Sequence, residues 1–503
     1  MPSPASQPRT SLRRPAATVL VALGLTGALA VSAAPASSAA GATASSTASS
    51  TAPSTASSTA SVSGTGAVSA ASVGAQLRTS GAAPHTAHGR TFYLDSENGD
   101  DQAAGTSSAT AWKTLARVTA ARFRPGDTIA LRRGETFTGT ATVTGTGTAH
   151  APITITAYGS GAAPTLTNPT GWNMLQLSAP HVVVDQLRFA DGVVFDNADG
   201  VGIRGPKYQL SGAIALTDPA TDAYIHDNEF TQVGVGIKTY ATGTLIAHNS
   251  FHDLKIAFRG MDSGSETSYG ALGISIDNSD ARVTANAFIN CRSTDSPYGA
   301  DGGAVEIEGF DHPKDNISID HNLSSGSQGF LEVTETTTAN VHLTYNISDD
   351  YQQFLAFDTT THPDAYVVAH NTIVRDRGDH QKLFAIYYYR QAGPTPADSW
   401  LTISGNIIQM NSGAVLSAYA WPHDHNVIQG TLGDTPGTGD ILADPQFTDR
   451  AAGDYRPLPT SPAIDNGGPA AGFTDFYGNP ALVGRASDSG AIEVQHRTIG
   501  GRH

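Results

Sequence analysis

Ile225-His226-Asp227-Asn228, Ile246-Ala247-His248-Asn249 and Val283-Thr284-Ala285-Asn286 repeat one short pattern: an apolar residue, two mostly polar or small residues, then asparagine. The same pattern returns as Ile319-Asp320-His321-Asn322, Leu343-Thr344-Tyr345-Asn346, Val368-Ala369-His370-Asn371 and Ile403-Ser404-Gly405-Asn406. Successive asparagines are 21, 37, 36, 24, 25 and 35 residues apart. Coils of a little over 20 residues account for the short spacings, and a coil carrying an inserted loop accounts for the long ones. Internal repeats of this period indicate a solenoid, because one unit cannot bury its apolar face without the next. A propeller blade would need four strands and about twice the spacing.

The pattern predicts short strands stacked in parallel, their apolar members facing one interior. The apolar residues after each asparagine (Phe230, Phe251, Phe288, Leu323, Ile347, Ile373, Ile407) are expected to point inward. Asparagine tolerates a left-handed backbone, and its amide can bond the equivalent amide one coil away, fixing the register. The fold class expected is therefore all-β, a single-stranded right-handed parallel β-helix.

The ends agree. Phe92-Tyr93-Leu94-Asp95 reads as a first strand, and Trp112, Leu115 and Val118 lie on one face at helical spacing. A short amphipathic helix there would cap the open end of a solenoid. With Pro125-Gly126-Asp127-Thr128-Ile129-Ala130-Leu131 following, the segment resembles the opening of bacterial pectate-lyase-like β-helix proteins. The ending, with Asp444-Pro445-Gln446-Phe447, Ser461-Pro462-Ala463-Ile464-Asp465 and Asp488-Ser489-Gly490-Ala491-Ile492-Glu493, resembles a tail recurring in secreted β-helix proteins. The resemblance covers about residues 90–495 and speaks to fold more than to chemistry.

Arg9, Arg13 and Arg14 precede an uncharged apolar run from Ala16 to Val31, and small residues follow. Residues 1–34 therefore read as a secretory signal peptide, with Arg13-Arg14 compatible with either twin-arginine or ordinary export. Residues 35–88 are nearly all Ala, Ser, Thr and Gly, too apolar-poor to offset their ordering entropy. They read as a disordered tether. Residues 89–445 are assigned to the β-helix and 446–503 to its C-terminal end and tail.

The formal charge of −16 becomes three units more negative without the leader's arginines, which disfavours nucleic acid and anionic membranes as partners. A single cysteine, Cys291, allows no intrachain disulfide and is expected to be buried. A secreted fold without disulfides needs a large core, and roughly 410 residues can supply one.

A solenoid of this kind has no internal cavity, so a site must lie among outward side chains and loops. In Gly303-Ala304-Val305-Glu306-Ile307-Glu308-Gly309, the inward pair Val305 and Ile307 leaves Glu306 and Glu308 outside. Counting back from the next ladder asparagine sets Glu308, Glu332 and Asp358 on one outward face of three successive coils. Stacked strands are about 4.8 Å apart, and like charges that close raise one another's pKa. Adjacent members would suit the ~5–5.5 Å of retaining glycosidases, members two coils apart the ~6.5–9.5 Å of inverting ones.

Asp301-Gly302-Gly303-Ala304-Val305-Glu306-Ile307-Glu308 also looks like a motif of secreted β-helix proteins in which Asp-Gly-Gly-Ala precedes two acidic positions, often Asp where this chain has Glu. Asp301 is either a general acid or substrate contact, or the cap of a Gly-Gly turn. Three insertions, 252–272, 291–303 and 376–397, would wall a cleft. The last supplies Tyr387, Tyr389 and Arg390 as candidate substrate contacts, with Tyr388 assigned to the core. His248, His321 and His370 precede ladder asparagines and are assigned structural turns.

The leading expectation is a secreted, monomeric glycoside hydrolase that needs two carboxylates, no metal and no cofactor, acting on a polysaccharide. A lyase working by β-elimination is the alternative. It would need a basic side chain, and Ca²⁺ held by the clustered acids. Lys314, Arg375, Lys382 and Arg390 are the candidate bases, and none falls at an outward strand position beside Glu332. The third reading is a glycan-binding or adhesin solenoid without catalysis.

Overall fold

A computed structural model describes residues 89–495, except 197–209, 260, 263–264, 267, 297–298, 310–311, 335, 360–362, 378–383, 391–399 and 417–420. The leader and tether assigned to residues 1–88 lie outside the described residues. The chain winds as a right-handed parallel β-helix. One wall is a 12-stranded parallel sheet running from Thr91–Leu94 to His423–Asp424. The other two walls are stacks that merge into a 21-stranded sheet through the long strand Ile407–Leu416. Alternation sets the inside: Val182–Asp185 and Leu175–Ser178 each bury every second side chain. The interior is one continuous apolar cluster. At its N-terminal end Trp112, Leu115 and Val118 are all buried around the helix Ala116–Ala120. Phe92 stacks on Trp112 with ring centroids 4.9 Å apart.

The asparagine ladder is continuous. The Nδ2 of each asparagine donates to the Oδ1 of the next, from Asn228 through Asn249, Asn286, Asn322, Asn346 and Asn371 to Asn406, at 3.0–3.1 Å. It runs one coil further than the repeat suggested, to Asn426, and ends on Asp440, whose carboxylate accepts the last amide at 2.9 Å. The left-handed backbone falls on the residue before the asparagine: Asp227, His248, Ala285, His321, Tyr345 and His370 all have φ between 53° and 57°. This kink turns the following asparagine into the interior, where its amide is shielded from water.

Removing Asn346 leaves the backbone N–H of Asn322 without its acceptor, while Asn322 Nδ2 keeps the Val283 and Asp320 carbonyls. Asn346 is fully buried and its Oδ1 accepts both the amide N and the Nδ2 of Asn322 at 3.0 Å. Asn346→Ala is expected to cost about 2–3 kcal/mol, read as a lowered midpoint in chemical unfolding. An unchanged midpoint would contradict a load on this ladder.

The residue after the asparagine behaves differently along the helix. Phe230, Phe251 and Phe288 stack inside with Phe189 at centroid spacings of 4.7–5.0 Å. Past them that inward position, two after the asparagine, passes to Ser324 and Ser348. Phe288 pairs with Ser324, so Leu323, Ile347 and Ile407 stand on the outside, contrary to the sequence expectation. Their apolar surface is covered by the C-terminal tail, through Tyr455, Ala491 and Ile492 on Ile347 and Ala463 on Ile407. The tail is also tied to the turn residues: the Ala471 amide donates to Tyr345 Oη at 3.1 Å, and Ser489 Oγ to the His425 carbonyl at 2.8 Å. Ile373 does point inward, as expected.

Candidate active site

The outward face of one stack carries the acidic residues. Its strands Val235–Thr239, Leu272–Ile276, Gly303–Ile307, Leu331–Thr334, Leu355–Thr359 and Phe384–Arg390 share one grammar, an apolar inward residue followed by an outward one. Register aligns Lys238 with Ser275, Ser275 with Glu306, Glu306 with Glu332, Glu332 with Ala356, and Ala356 with Tyr387. A second column lies two residues on. Asp358 pairs with Thr334 there, and extending the Ile307–Val333 register by one residue sets Glu308 opposite Thr334. The expected row of Glu308, Glu332 and Asp358 is therefore two columns. Glu306 is the strand neighbour of Glu332, while Glu308 and Asp358 are two coils apart with a threonine between them. The turn before the next asparagine is two residues longer after Ile307 than after Val333, which is why counting from the asparagines misplaced Glu308.

Glu308 is the best-bonded member. Its Oε1 accepts from Lys238 Nζ at 2.7 Å, from Ser275 Oγ at 2.6 Å and from the Tyr269 hydroxyl. Lys238 is wholly buried, donates also to Ser275 Oγ at 3.1 Å, and lies 3.7 Å from Asp277 Oδ2. Burial alone would lower the ammonium's pKa, but Asp277 and Glu308 outweigh it and hold Lys238 above its ordinary value. Asp277 is fully buried and is pushed up to about 7 by that burial, against the pull of Lys238. Glu306 lies well above the usual carboxylate range, first through burial and then through the charges of Glu308 and Glu332.

Asp301 enters from the insertion 291–303, which folds as the antiparallel hairpin Ser293–Ser296 and Gly299–Asp301. Its Oδ1 accepts the Gly302 amide at 2.8 Å, a bond of the turn-cap kind. Gly302 has φ 115°, and a Cβ there would stand 2.6 Å from the Ala271 carbonyl, so the turn requires glycine. The other oxygen, Oδ2, is buried; burial raises the group to about 6, against the pull of the Gly302 amide and the Ser268 side chain. Asp301 also acts electrostatically on Glu306. Of the insertion 252–272, the strand Ile256–Arg259 pairs antiparallel with Tyr269–Gly270 and delivers Tyr269 to Glu308. Tyr387 continues the Glu306 column and stacks on Phe384 at 5.8 Å; Tyr388 is buried, as assigned. The backbone of Tyr389 and Arg390 extends that strand, and their side chains lie outside the described residues.

Sequence reading missed Lys238, Tyr269, Ser275 and Asp277. Among the cations it weighed, Lys314 is buried with Nζ donating to the Gly309 and His312 carbonyls, and Arg375 is buried against the Ser348 carbonyl. Lys382 lies outside the described residues. Lys238, which is not among those four, stands in the column of Glu306 and Glu332, two coils before Glu306. Cys291 is fully buried, and burial drives its thiol pKa far up.

No protein-family profile and no curated protein matches the chain. Solved structures match in fold. XylC in complex with xylose aligns with a TM-score of 0.50 at 9% identity, over 80% of this chain and 98% of that one. The pectate lyase Pel9A aligns at 0.45 with 14% identity, over 82% and 98%. A GH136 lacto-N-biosidase from Eubacterium ramulus aligns at 0.29 with 13% identity, over 60% and 67%. At these identities the likeness is one of fold alone, that of a parallel β-helix. Among the described residues no helix is long and apolar enough to cross a membrane.

Proposed function

We propose that the chain is an extracellular glycoside hydrolase cleaving a polysaccharide with retention of configuration. Glu306 is its acid/base and Glu332 its nucleophile. The observation that carries this reading is the strand pairing of Glu306 with Glu332 in one outward column. Adjacent strands at about 4.8 Å bring the two carboxyl groups near the ~5–5.5 Å of retaining enzymes. Glu306, held protonated by burial and by its charged neighbours, donates its proton to the glycosidic oxygen. Glu332 bonds to the anomeric carbon as the leaving sugar departs. A water molecule then gives a proton to Glu306 and attacks the same carbon, releasing Glu332. Glu308, bound to Lys238, Tyr269 and Ser275, keeps a fixed negative charge beside Glu306. Asp301, at the end of the hairpin and acting electrostatically on Glu306, is the candidate contact for a sugar hydroxyl.

Lys238 gives the β-elimination reading a cation in the right column. Two buried carboxylates hold it protonated, however, whereas a general base must begin neutral. Nor does the donor set suit Ca²⁺: Glu308 Oε1 already accepts three protein donors, and Lys238 stands where a cation would approach. The test is the product. Digestion of a polysaccharide panel is expected to release saturated reducing ends whose first-formed anomer matches the substrate, followed by proton NMR, with no effect of a chelator. Ultraviolet-absorbing unsaturated ends, or loss of activity in chelator, would establish elimination instead.

A further inference from the structure

Glu306 and Glu332 are half-buried, whereas Ser275 and Lys238, one and two coils earlier in the same column, are fully buried. A row of rings stands over those earlier coils. Tyr269 lies across the column: its hydroxyl accepts from Lys238 Nζ at 3.2 Å and donates to Glu308, and its ring centroid is 5.1 Å from that ammonium. The row runs on through Phe258, 6.2 Å from Tyr269, to Trp172, 5.3 Å from Phe258, and ends with Phe195 stacked on Trp172 at 3.6 Å. Backbone pairing makes it one piece, since Phe195 pairs in parallel with Phe258, and Phe258 antiparallel with Tyr269. It is also pressed close to the solenoid, where a Cβ at Gly234 would collide with Ala257 of the hairpin. The next insertion is tied to it through Ser268, whose side chain bonds Asp301. The column is thus walled on the side of the earlier coils.

We propose that this wall makes the enzyme exo-acting: it admits only a short leaving unit, a mono- or disaccharide, beyond Glu306, and Tyr269 sets the limit. The inference deepens the hydrolase reading and rests on it for the roles of Glu306 and Glu332. Displacement at the anomeric carbon sends the leaving group away from the nucleophile, hence toward Glu306, which protonates it. One coil beyond Glu306, about 4.8 Å on, the column is already Ser275, sealed under the ring row. A polymer crossing both carboxylates along the helix axis would have to pass through the rings. A chain end would stop against them.

Product size tests this, independently of the chemistry of the new ends. The full chain is incubated with xylan, mixed-linkage β-glucan, galactan and polygalacturonate, and with their hexasaccharides, and the products are sized from the start of the reaction. Mono- and disaccharides are expected from the outset while the viscosity of the polymer barely falls. An early collapse of viscosity with a ladder of intermediate oligosaccharides overturns the inference. Tyr269→Ala should open the exit and raise the share of products longer than a disaccharide about tenfold. Tyr269→Phe keeps the ring and loses the bond to Glu308, so it should retain the wild-type sizes even where its rate falls. A folded Tyr269→Ala with unchanged product sizes means that Tyr269 sets no limit; should that variant not fold, the wild-type sizes still decide. The two readings fail separately. Short products with unsaturated ends remove the hydrolase mechanism and leave the wall, and long saturated products do the reverse. A panel left uncut by the wild-type chain overturns both.

Discussion

Glu332→Gln and Glu306→Gln are each expected to lower turnover on polysaccharide by about 10²-fold or more, with the unfolding midpoint unchanged or raised. The amide is isosteric; Glu306→Gln replaces a neutral acid, and Glu332→Gln removes one of the charges that lift Glu306. The two losses should differ in kind. Without its nucleophile, Glu332→Gln is slow on every substrate. Glu306→Gln lacks only proton donation, so a nitrophenyl glycoside, whose leaving group needs no proton, should recover much of the rate of bond cleavage. In the wild type, activity should fall as pH rises through the raised pKa of Glu306, since the acid is competent only while protonated. That alkaline limb should vanish from the bond-cleavage step of Glu306→Gln on the activated substrate. Glu308→Gln should instead act indirectly, moving the limb downward because a negative neighbour of Glu306 is lost. If Glu306→Gln and Glu332→Gln both keep full activity, this column is structural and the assignment fails.

The solenoid was legible because its ladder imposes one side chain on every coil. Only a side chain with both a donor and an acceptor can bond upward and downward at once, so asparagine recurs and its spacing reports the coil length. What the repeat could not report was which residue carries the kink, since the left-handed position accepts Asp, His, Ala and Tyr alike. Nor could it tell the outward position directly after the asparagine from the inward one two after it. Leu323 and Ile347 have the character of core residues, and it is the distant tail that buries them. The acid site was half legible. Asp301, Glu306, Glu308 and Glu332 do meet, but their pairing was read from the asparagines, across a turn of variable length. Aligning the strands themselves, Gly-Ile-Lys238, Gly-Ile-Ser275, Ala-Val-Glu306 and Phe-Leu-Glu332, gives the observed register and brings Lys238 into the column. Tyr269 carried no such signal, because it arrives on an inserted hairpin outside the repeat.

Lys238→Met is expected to destabilise the protein by about 3–5 kcal/mol near neutral pH, the usual cost of stranding buried charge. Lys238 is wholly buried between Glu308 at 2.7 Å and Asp277 at 3.7 Å, and methionine fills similar volume without the ammonium. The pH dependence separates this cause from a packing defect. Asp277 already sits near 7, above its unfolded value, so its ionisation opposes folding increasingly as pH rises from the ordinary carboxylate range toward 7. Without Lys238 the pull that holds Asp277 down is lost, its folded-state pKa rises further, and that opposition extends to higher pH. The deficit relative to wild type should therefore be large at pH 8 and shrink toward pH 5, where both carboxyl groups take up protons. Wild type should show the complementary behaviour at the alkaline end, losing the contribution of Lys238 as pH climbs through its raised pKa. Adding Glu308→Gln to Lys238→Met should recover a large part of the loss at pH 8, because the amide carries no charge to strand. Chemical unfolding of the two single variants and the double variant at both pH values measures each term. A deficit that is the same at pH 5 and pH 8, and that Glu308→Gln leaves untouched, would mean that Lys238 fills space and does not balance the charge beside Glu306.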